Sequence, residues 1–399
     1  MTTLVGAFLN SAHHITVRNI CYGVRAHVSK IGRNIVALCT EFPGVDFRLN
    51  ATIRRFGVMR KVVWRIVFAL LLFWPRGSSA ELKKVVSIGS NDLNYLFVSI
   101  NDVAIGDSGA VFVLDSGGFC LKKFDAQGAF VKEVGRQGQG PGDFSNMLAD
   151  ICIDKDIYVH DVGNRRIMRI DQGLEVKGTL RIGRSGRYLA RLGDCFYMIA
   201  PRAEGTFPEI VRFDEQGTVK SVFFEDRPAF MKGAPPPRGP DWAMWMMYAD
   251  LVMAVDRDSQ EVAVTFRYPG PDNEILLYDK DGRFLRRIKF RHPIAYDFPV
   301  FRLKFRAGFP GRSQFISFGS GHFIAPHRLL LEYWIEDYES DHAVGQQNYL
   351  LVLDTASGLI VHREQLDPGI RVLYARGDLV CARQEDGDIW KVIIYRLII

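Results

Sequence analysis

A repeated segment constrains the fold of this chain more than any other feature of its sequence. Residues 105–125 align without a gap with residues 151–171, at an offset of 46 residues. The aligned positions share apolar residues, an aspartate and a glycine: Val113 with Val159, Asp115 with Asp161, and Gly117 with Gly163. Apolar residues alternate with others in these segments, which is the period of strands with one buried face. The repeat therefore predicts successive copies of one β-unit.

A shorter marker, an apolar residue followed by Asp and then by Gly, occurs five times. Its copies are Phe124–Gly128, Ile170–Gly173, Phe213–Gly217, Tyr278–Gly282 and Leu353–Gly358. Each copy separates two strand-like runs. The Asp side chain can cap a turn, and Gly accepts the positive φ of a tight hairpin. The marker therefore predicts five hairpins.

The two ends of this region complete the pattern. Residues 370–399 contain three strand-like runs but no fourth, and the run Leu82–Ile88 has no hairpin partner of its own. Pairing that run with the last blade would close a ring and remove its open edges. We therefore predict an all-β fold over residues 81–399. It is a six-bladed β-propeller of four-stranded antiparallel blades, with the ring closed by the N-terminal strand near 82–88.

Two segments resemble NHL repeats. They are Val159–Asp171, in which Asp161, Asn164, Arg165 and Ile167 match the motif, and Gly135–Phe144, which matches the loop to the next blade. The chain is similar to exported bacterial six-bladed propellers with degenerate NHL repeats. That resemblance implies binding of proteins, RNA or carbohydrate, and a minority of related propellers are lactonases, lyases or esterases. The fold by itself does not choose among these activities.

Residues 59–80 have the three parts of a secretory signal peptide. Arg60 and Lys61 precede the apolar run Ile66–Trp74, and small residues follow up to Ala80. The run is shorter than the roughly 20 residues of a membrane-spanning helix. We predict that translation starts at Met59, that residues 1–58 are an over-called extension, and that the mature protein is periplasmic or extracellular without a permanent membrane span. An uncleaved anchor at 62–74 is the alternative.

The net charge of +6 comes from the leader. Residues 1–58 carry a net +5 and residues 59–80 a net +4, which leaves −3 for residues 81–399. A propeller with nearly balanced charge has no broad attraction for phosphate backbones. We therefore predict that nucleic acid is not a partner.

The insertions offer the candidate binding residues. Residues 225–250 combine a proline run with aromatic and Met side chains, which form adaptable contact surfaces, and residues 291–313 contain a histidine beside a long loop. The predicted binding residues are Arg238, Trp242, Trp245, Met246, Tyr248 and His292. Packing of the aromatic cluster over a blade edge is the alternative. The acidic run 334–349 is interpreted as a solvated extension of a hairpin, and docking of a basic partner or a cation is the alternative.

No sequence motif identifies a catalytic centre or a metal site, and the histidines are dispersed. We predict no cofactor, with a structural or channel calcium ion left open. The expected function is that of a monomeric, non-catalytic propeller binding a protein or glycan partner of the cell envelope through one face. The alternative is a metal-dependent propeller hydrolase of the lactonase or lyase type.

Overall fold

In the residues that the computed structural model describes, β-strands joined by turns and loops are the regular secondary structure. The described residues are 81–184, 186–201, 208–224, 250–267, 273–290, 312–339 and 342–398. Within these ranges, 24 strands form six antiparallel sheets of four strands each. The predicted fold class is confirmed. Residues 1–58 and the predicted signal peptide at 59–80 lie outside the described ranges.

Blades 1 to 3 follow one another along the chain, each from its inner to its outer strand. Blade 1 comprises β2 (Ile100–Ile105), β3 (Val111–Asp115), β4 (Cys120–Phe124) and β5 (Phe130–Val134). Blade 2 comprises β6 (Leu148–Ile153), β7 (Ile157–Asp161), β8 (Arg166–Ile170) and β9 (Val176–Arg181). Blade 3 comprises β10 (Arg187–Leu192), β11 (Cys195–Pro201), β12 (Pro208–Asp214) and β13 (Val219–Phe223).

Blades 4 to 6 complete the ring in the same order. Blade 4 comprises β14 (Leu251–Asp256), β15 (Glu261–Phe266), β16 (Asn273–Asp279) and β17 (Phe284–Phe290). Blade 5 comprises β18 (Arg312–Ala325), β19 (Arg328–Glu339), β20 (His342–Asp354) and β21 (Leu359–Leu366). Blade 6 comprises β22 (Arg371–Arg376), β23 (Leu379–Asp386), β24 (Ile389–Ile398) and β1 (Glu81–Ile88).

The first strand closes the ring, as predicted. β1 pairs antiparallel with β24, so that Glu81 lies opposite Ile398 and Ile88 opposite Val392. Ile88 is buried in the hydrophobic cluster that joins blades 1 and 6, together with Phe124. β1 therefore supplies the outer strand that blade 6 lacks in its own sequence.

The predicted hairpin turns have the expected chemistry. The carboxylate of Asp125 accepts hydrogen bonds from the backbone nitrogens of Gln127 and Ala129 at 2.9 and 2.8 Å. Gly128 then adopts a φ of +85°, a conformation that strongly favours glycine. The turn of blade 2 has the same length and hydrogen bonds, but Leu174, not a glycine, stands at the position of Gly128 and takes the positive φ of +64°.

Buried Asp161 organises the segment that resembles an NHL repeat. It accepts hydrogen bonds from Asn164 Nδ2 at 2.7 Å and from Arg166 Nε at 3.3 Å. Arg166 continues into the loop before blade 2 and donates to the Asp143 carbonyl at 2.6 Å. The arginine that makes these contacts is thus Arg166, whereas Arg165, which the sequence motif selects, is exposed. The network anchors the glycine-rich loop 135–144 as a link between blades.

Replacing Asn164 by alanine is expected to lower the free energy of unfolding by about 1–2 kcal/mol. Asn164 Nδ2 also donates to the Gly138 carbonyl at 3.0 Å, so its loss removes one hydrogen bond from that carbonyl and one from buried Asp161, which keeps its bonds from Arg166 and Ser145. Urea unfolding of the purified protein measures the change. Asn94→Ala, at an exposed loop position, is the control, and an equal loss in both variants would contradict the assigned role of Asn164.

Four cysteines fall within the described ranges, and all are buried free thiols, as predicted. They are Cys120 in blade 1, Cys152 in blade 2, Cys195 in blade 3 and Cys381 in blade 6. Burial raises the pKa of Cys120 and of Cys152 to about 12. These side chains therefore act as small apolar groups of the core.

Candidate functional site in the central channel

The inner strands of all six blades line a central channel with a volume of about 770 Å³. These strands are β2, β6, β10, β14, β18 and β22, and each contacts the next around the ring. The volume is within the range of about 300–1,000 Å³ that is typical of small-molecule sites. The channel is therefore the first place to look for a ligand.

Four arginines lie at the end of the channel where the inner strands begin. Arg187 and Arg371 are the first residues of β10 and β22, and Arg383 lies opposite Arg371 in the pairing of β22 with β23. Arg267 follows β15, where its N–H donates to the carbonyl of Asp250 at 2.7 Å, just before β14. We call this end of the channel, defined by these four arginines, the arginine mouth.

Two of the four arginines share one carboxylate. Arg267 Nε lies 2.7 Å from Asp250 Oδ2, and Arg187 pairs with the other oxygen of the same side chain. Arg267 also donates to the hydroxyl of Tyr188, whose oxygen lies 3.4 Å from the Gly319 carbonyl. Asp250 thus neutralises at most one of these two positive charges.

Arg371 is held by neutral groups. Its guanidinium stacks on the Trp334 ring at 4.2 Å from the ring centroid. Arg371 Nη1 donates to Asn348 Oδ1 at 3.4 Å, and Nη2 donates to the Gln346 side-chain oxygen at 2.6 Å. Burial, together with the neighbouring Arg383 and Arg267, lowers the pKa of Arg371, while Glu332 and Glu336 oppose this shift. The side chain is therefore fixed in place without a paired negative charge.

Arg383 is also held without an ion pair. Its Nη1 donates to the Ile100 carbonyl at 2.7 Å, and its guanidinium lies 5.3 Å from the centroid of the Trp390 ring. Among the residues that the structure describes, no carboxylate oxygen lies within 4.0 Å of a nitrogen of Arg371 or Arg383. These two arginines carry the excess positive charge of the mouth.

Glu332 lies among these arginines and is only 2% exposed. The Val372 N–H donates to its carboxyl at 3.0 Å. Burial raises the pKa of Glu332 to about 7, against the opposing effect of Arg371, Arg267 and Arg383. A side chain at Gly319 would collide with the Glu332 carboxyl and with the Trp334 ring, so glycine is needed there. At neutral pH Glu332 therefore neutralises only part of the positive charge around it.

The opposite side of the mouth is formed by carboxyl groups from blades 1 and 2. Asp102 on β2 accepts hydrogen bonds from the backbone nitrogens of Val103 and Ile151, both at 2.8 Å. Burial, and then the neighbouring Asp150 on β6, raise the pKa of Asp102 well above its ordinary value. The mouth thus has a cationic side and a side rich in carboxyl groups.

The described part of the chain contains no group of three or more His, Cys, Asp or Glu side chains placed to hold a metal ion. His322 in the channel is half-buried beside Tyr374, and its partial removal from solvent lowers its pKa to about 4. A structural or channel calcium ion, which the sequence left open, stays a prediction.

The binding residues predicted from the sequence lie outside the described residues. They are Arg238, Trp242, Trp245, Met246, Tyr248 and His292. The run 334–349 lengthens the hairpin of blade 5, as predicted, because β19 and β20 pair as far as Glu339 opposite His342, and residues 345–347 are exposed. The interpretation as a solvated loop is wrong for the remaining described residues, which lie in the paired strands. Trp334 belongs to β19 and lines the channel, and Asn348 on β20 is buried. The sequence analysis did not predict the arginine mouth, because no motif surrounds its four arginines.

Comparisons with known proteins agree with this fold. A family model, DUF5128, described as "6-bladed beta-propeller", matches residues 91–185. No curated protein matches the chain. Within the described residues, no helix has the length and apolar character needed to cross a bilayer.

Two solved structures are similar over most of the chain. One is a member of the DUF4221 family from Bacteroides vulgatus, with a TM-score of 0.51 and 9% identity, covering 81% of this chain and 99% of that one. The other is a candidate exported protein from Bacteroides fragilis, with a TM-score of 0.50 and 13% identity, covering 81% of this chain and 96% of that one. At such low identity the likeness extends to the fold and no further. The chain is a six-bladed β-propeller.

Proposed function

We propose that this protein is an exported, non-catalytic propeller that binds a carboxylate-bearing partner at the arginine mouth. One observation carries the proposal: Arg371 and Arg383 are fixed in the mouth, and neither has a carboxylate partner among the described residues. A partly buried charge without a partner is costly, and a ligand anion would remove that cost. The planar guanidinium suits two parallel hydrogen bonds to a carboxylate.

The charges in the mouth favour an anion over a cation. Four guanidinium groups face Asp250 and Glu332, and Glu336 also acts on Arg371. Burial lowers the pKa of Arg371, and the neighbouring arginines lower it further by repulsion. An anionic ligand would reduce this repulsion.

Export and a monomeric state belong to the same proposal. The signal-peptide pattern at 59–80 supports export, and so does the likeness to a candidate exported protein. The alternative of a metal-dependent lactonase or lyase has no ligand set among the described residues from which to argue.

The test is thermal stabilisation of the purified protein by citrate, with glycerol as the uncharged comparison and the ionic strength held constant. Citrate is expected to raise the melting temperature, because a ligand that binds only the folded state stabilises it by about 2.7 kcal/mol at 100 times its Kd. Arg371→Gln and Arg383→Gln are each expected to weaken the binding of citrate at least tenfold.

The matched control is Arg376→Gln. Arg376 ends β22, the strand that Arg371 begins, and it pairs with Asp107 at 2.9 Å. This variant removes the same charge at the other end of the strand, so citrate should bind it as it binds the wild type. The proposal fails if citrate does not stabilise the protein, or if Arg376→Gln weakens citrate as much as Arg371→Gln does.

A further inference from the structure

The two sides of the arginine mouth differ in chemistry, and the difference narrows the class of ligand. This inference rests on the proposed function. The cationic side is formed by blades 3, 4 and 6, whereas blades 1 and 2 supply Asp102 and Asp150. A ligand that fills the mouth therefore meets guanidinium groups on one side and carboxyl groups on the other.

The carboxyl side is suited to hydroxyl groups. Each oxygen of Asp102 accepts one backbone hydrogen bond, from Val103 and from Ile151, and retains a second lone pair. Asp150 has only long contacts, 3.4 Å to the Leu189 nitrogen and 3.8 Å to His160 Nδ1. Both side chains can therefore accept hydrogen bonds from a ligand, and a protonated carboxyl can also donate one.

The same side disfavours ligands that carry only negative charge. Asp150 would repel a further carboxylate of the ligand, and the resulting loss of binding free energy is large in a partly buried site. Acidic peptides and simple polycarboxylates lack the set of ring hydroxyls that Asp102 and Asp150 could bind together. Such ligands can use the cationic side of the mouth alone.

Aromatic rings stand beside the cationic side. Tyr188 has a φ of +57° and lies at the register shift between Arg187 and Ala190 in the pairing of β10 with β11. This backbone places its ring near Arg187 and Arg267, at 5.7 and 6.0 Å from the ring centroid. Together with Trp334 it provides apolar surface next to the guanidinium groups, against which the C–H face of a ring can pack.

From this geometry we propose that the ligand is an acidic sugar: a hydroxylated pyranose ring with one carboxylate, of the uronic acid class. Its carboxylate pairs with Arg371 and Arg383, while its ring hydroxyls donate to Asp102 and Asp150. One ligand thereby makes ion pairs on the cationic side of the mouth and hydrogen bonds on its carboxyl side.

The test is isothermal titration of the purified protein at constant ionic strength with four probes. They are trigalacturonate, its trimethyl ester, citrate and tri-glutamate. Trigalacturonate is expected to bind at least tenfold more tightly than the other three. The ester keeps the hydroxyls but loses the charge, whereas citrate and tri-glutamate carry charge without a sugar ring.

An Asp150→Asn variant gives a second, independent result. Removal of this negative charge should weaken trigalacturonate about tenfold, because a charged acceptor for hydroxyls is lost. The same change should leave the affinity for citrate unchanged or increase it, because the repulsion between citrate and the Asp150 carboxylate is removed. Asp258→Asn is the matched control, since exposed Asp258 lines the channel just beyond the end of β14, and it should alter neither ligand.

The outcomes separate this inference from the proposed function. If citrate or tri-glutamate binds as tightly as trigalacturonate, the sugar-acid inference is overturned and the anion site stands. If the trimethyl ester binds as tightly as the acid, both are overturned, because charge would not contribute. If no probe binds, both are overturned as well.

Discussion

Replacing Ile88 by alanine is expected to lower the free energy of unfolding by about 3 kcal/mol. Ile88 is 1% exposed and lies where β1 joins the core between blades 1 and 6, near Phe124 and Val392. Truncation of such a side chain loses its burial and leaves a cavity, and the two effects together cost about 2–5 kcal/mol. The position matters further because β1 covers the edge of β24. Urea unfolding followed by tryptophan fluorescence measures the loss.

Val85→Ala is the control for this prediction. Val85 lies on the same strand but is 49% exposed, so its truncation should change the free energy of unfolding by less than about 0.5 kcal/mol. If both substitutions lower the free energy of unfolding equally, the whole strand is weakened and Ile88 has no special role in ring closure. If Ile88→Ala unfolds with the same free energy as the wild type, ring closure does not depend on this buried contact.

Replacing Glu332 by glutamine is expected to change how stability depends on pH. Burial raises the pKa of Glu332 from 4.5 to about 7, so the folded protein holds this proton more tightly than the unfolded chain does. The stability contributed by the protonated carboxyl is fully present below about pH 4.5 and is lost as pH rises through 7. The loss at higher pH amounts to at most about 3 kcal/mol. Glutamine cannot ionise, so the variant should not lose this contribution.

The measurement is the difference in free energy of unfolding between variant and wild type at pH 5, 6, 7 and 8. That difference should grow in favour of Glu332→Gln as pH rises. Glu385→Gln serves as the control because Glu385 lies exposed on β23, and its difference from wild type should stay constant. A flat difference for Glu332→Gln would mean that the carboxyl ionises in the folded protein as it does in water.

The fold could be predicted because its signals are local. Alternating apolar residues and the Asp-to-Gly turns act over fewer than ten residues, and one unpaired run near residue 82 was sufficient to predict the closure. The segment 334–349 shows where this reasoning failed. Its acidic residues suggested a solvated loop, yet Ile335 is 3% exposed and the strand pairing continues through Trp334 and Asn348. The alternation of residues with a period of two, typical of a strand, was present in this segment, but the prediction gave more weight to its acidic residues.

The arginine mouth could not be predicted in the same way. Arg187, Arg267, Arg371 and Arg383 come from three blades, and each stands in the sequence without a motif around it. Only the ring brings them together, because it places the beginnings of all the inner strands around one opening. A site of this kind follows from the blade order and the register, neither of which a short motif contains.

The four buried thiols can report how readily each of their blades opens locally. A thiol reacts with an alkylating reagent as the thiolate and only when the reagent can reach it, so each buried cysteine is modified mainly after its surroundings open. Because Cys120, Cys152, Cys195 and Cys381 stand in four different blades, their labelling rates would rank those blades by the ease with which they open. The blade completed by β1 can thus be compared directly with three continuous ones, without introducing any new residue.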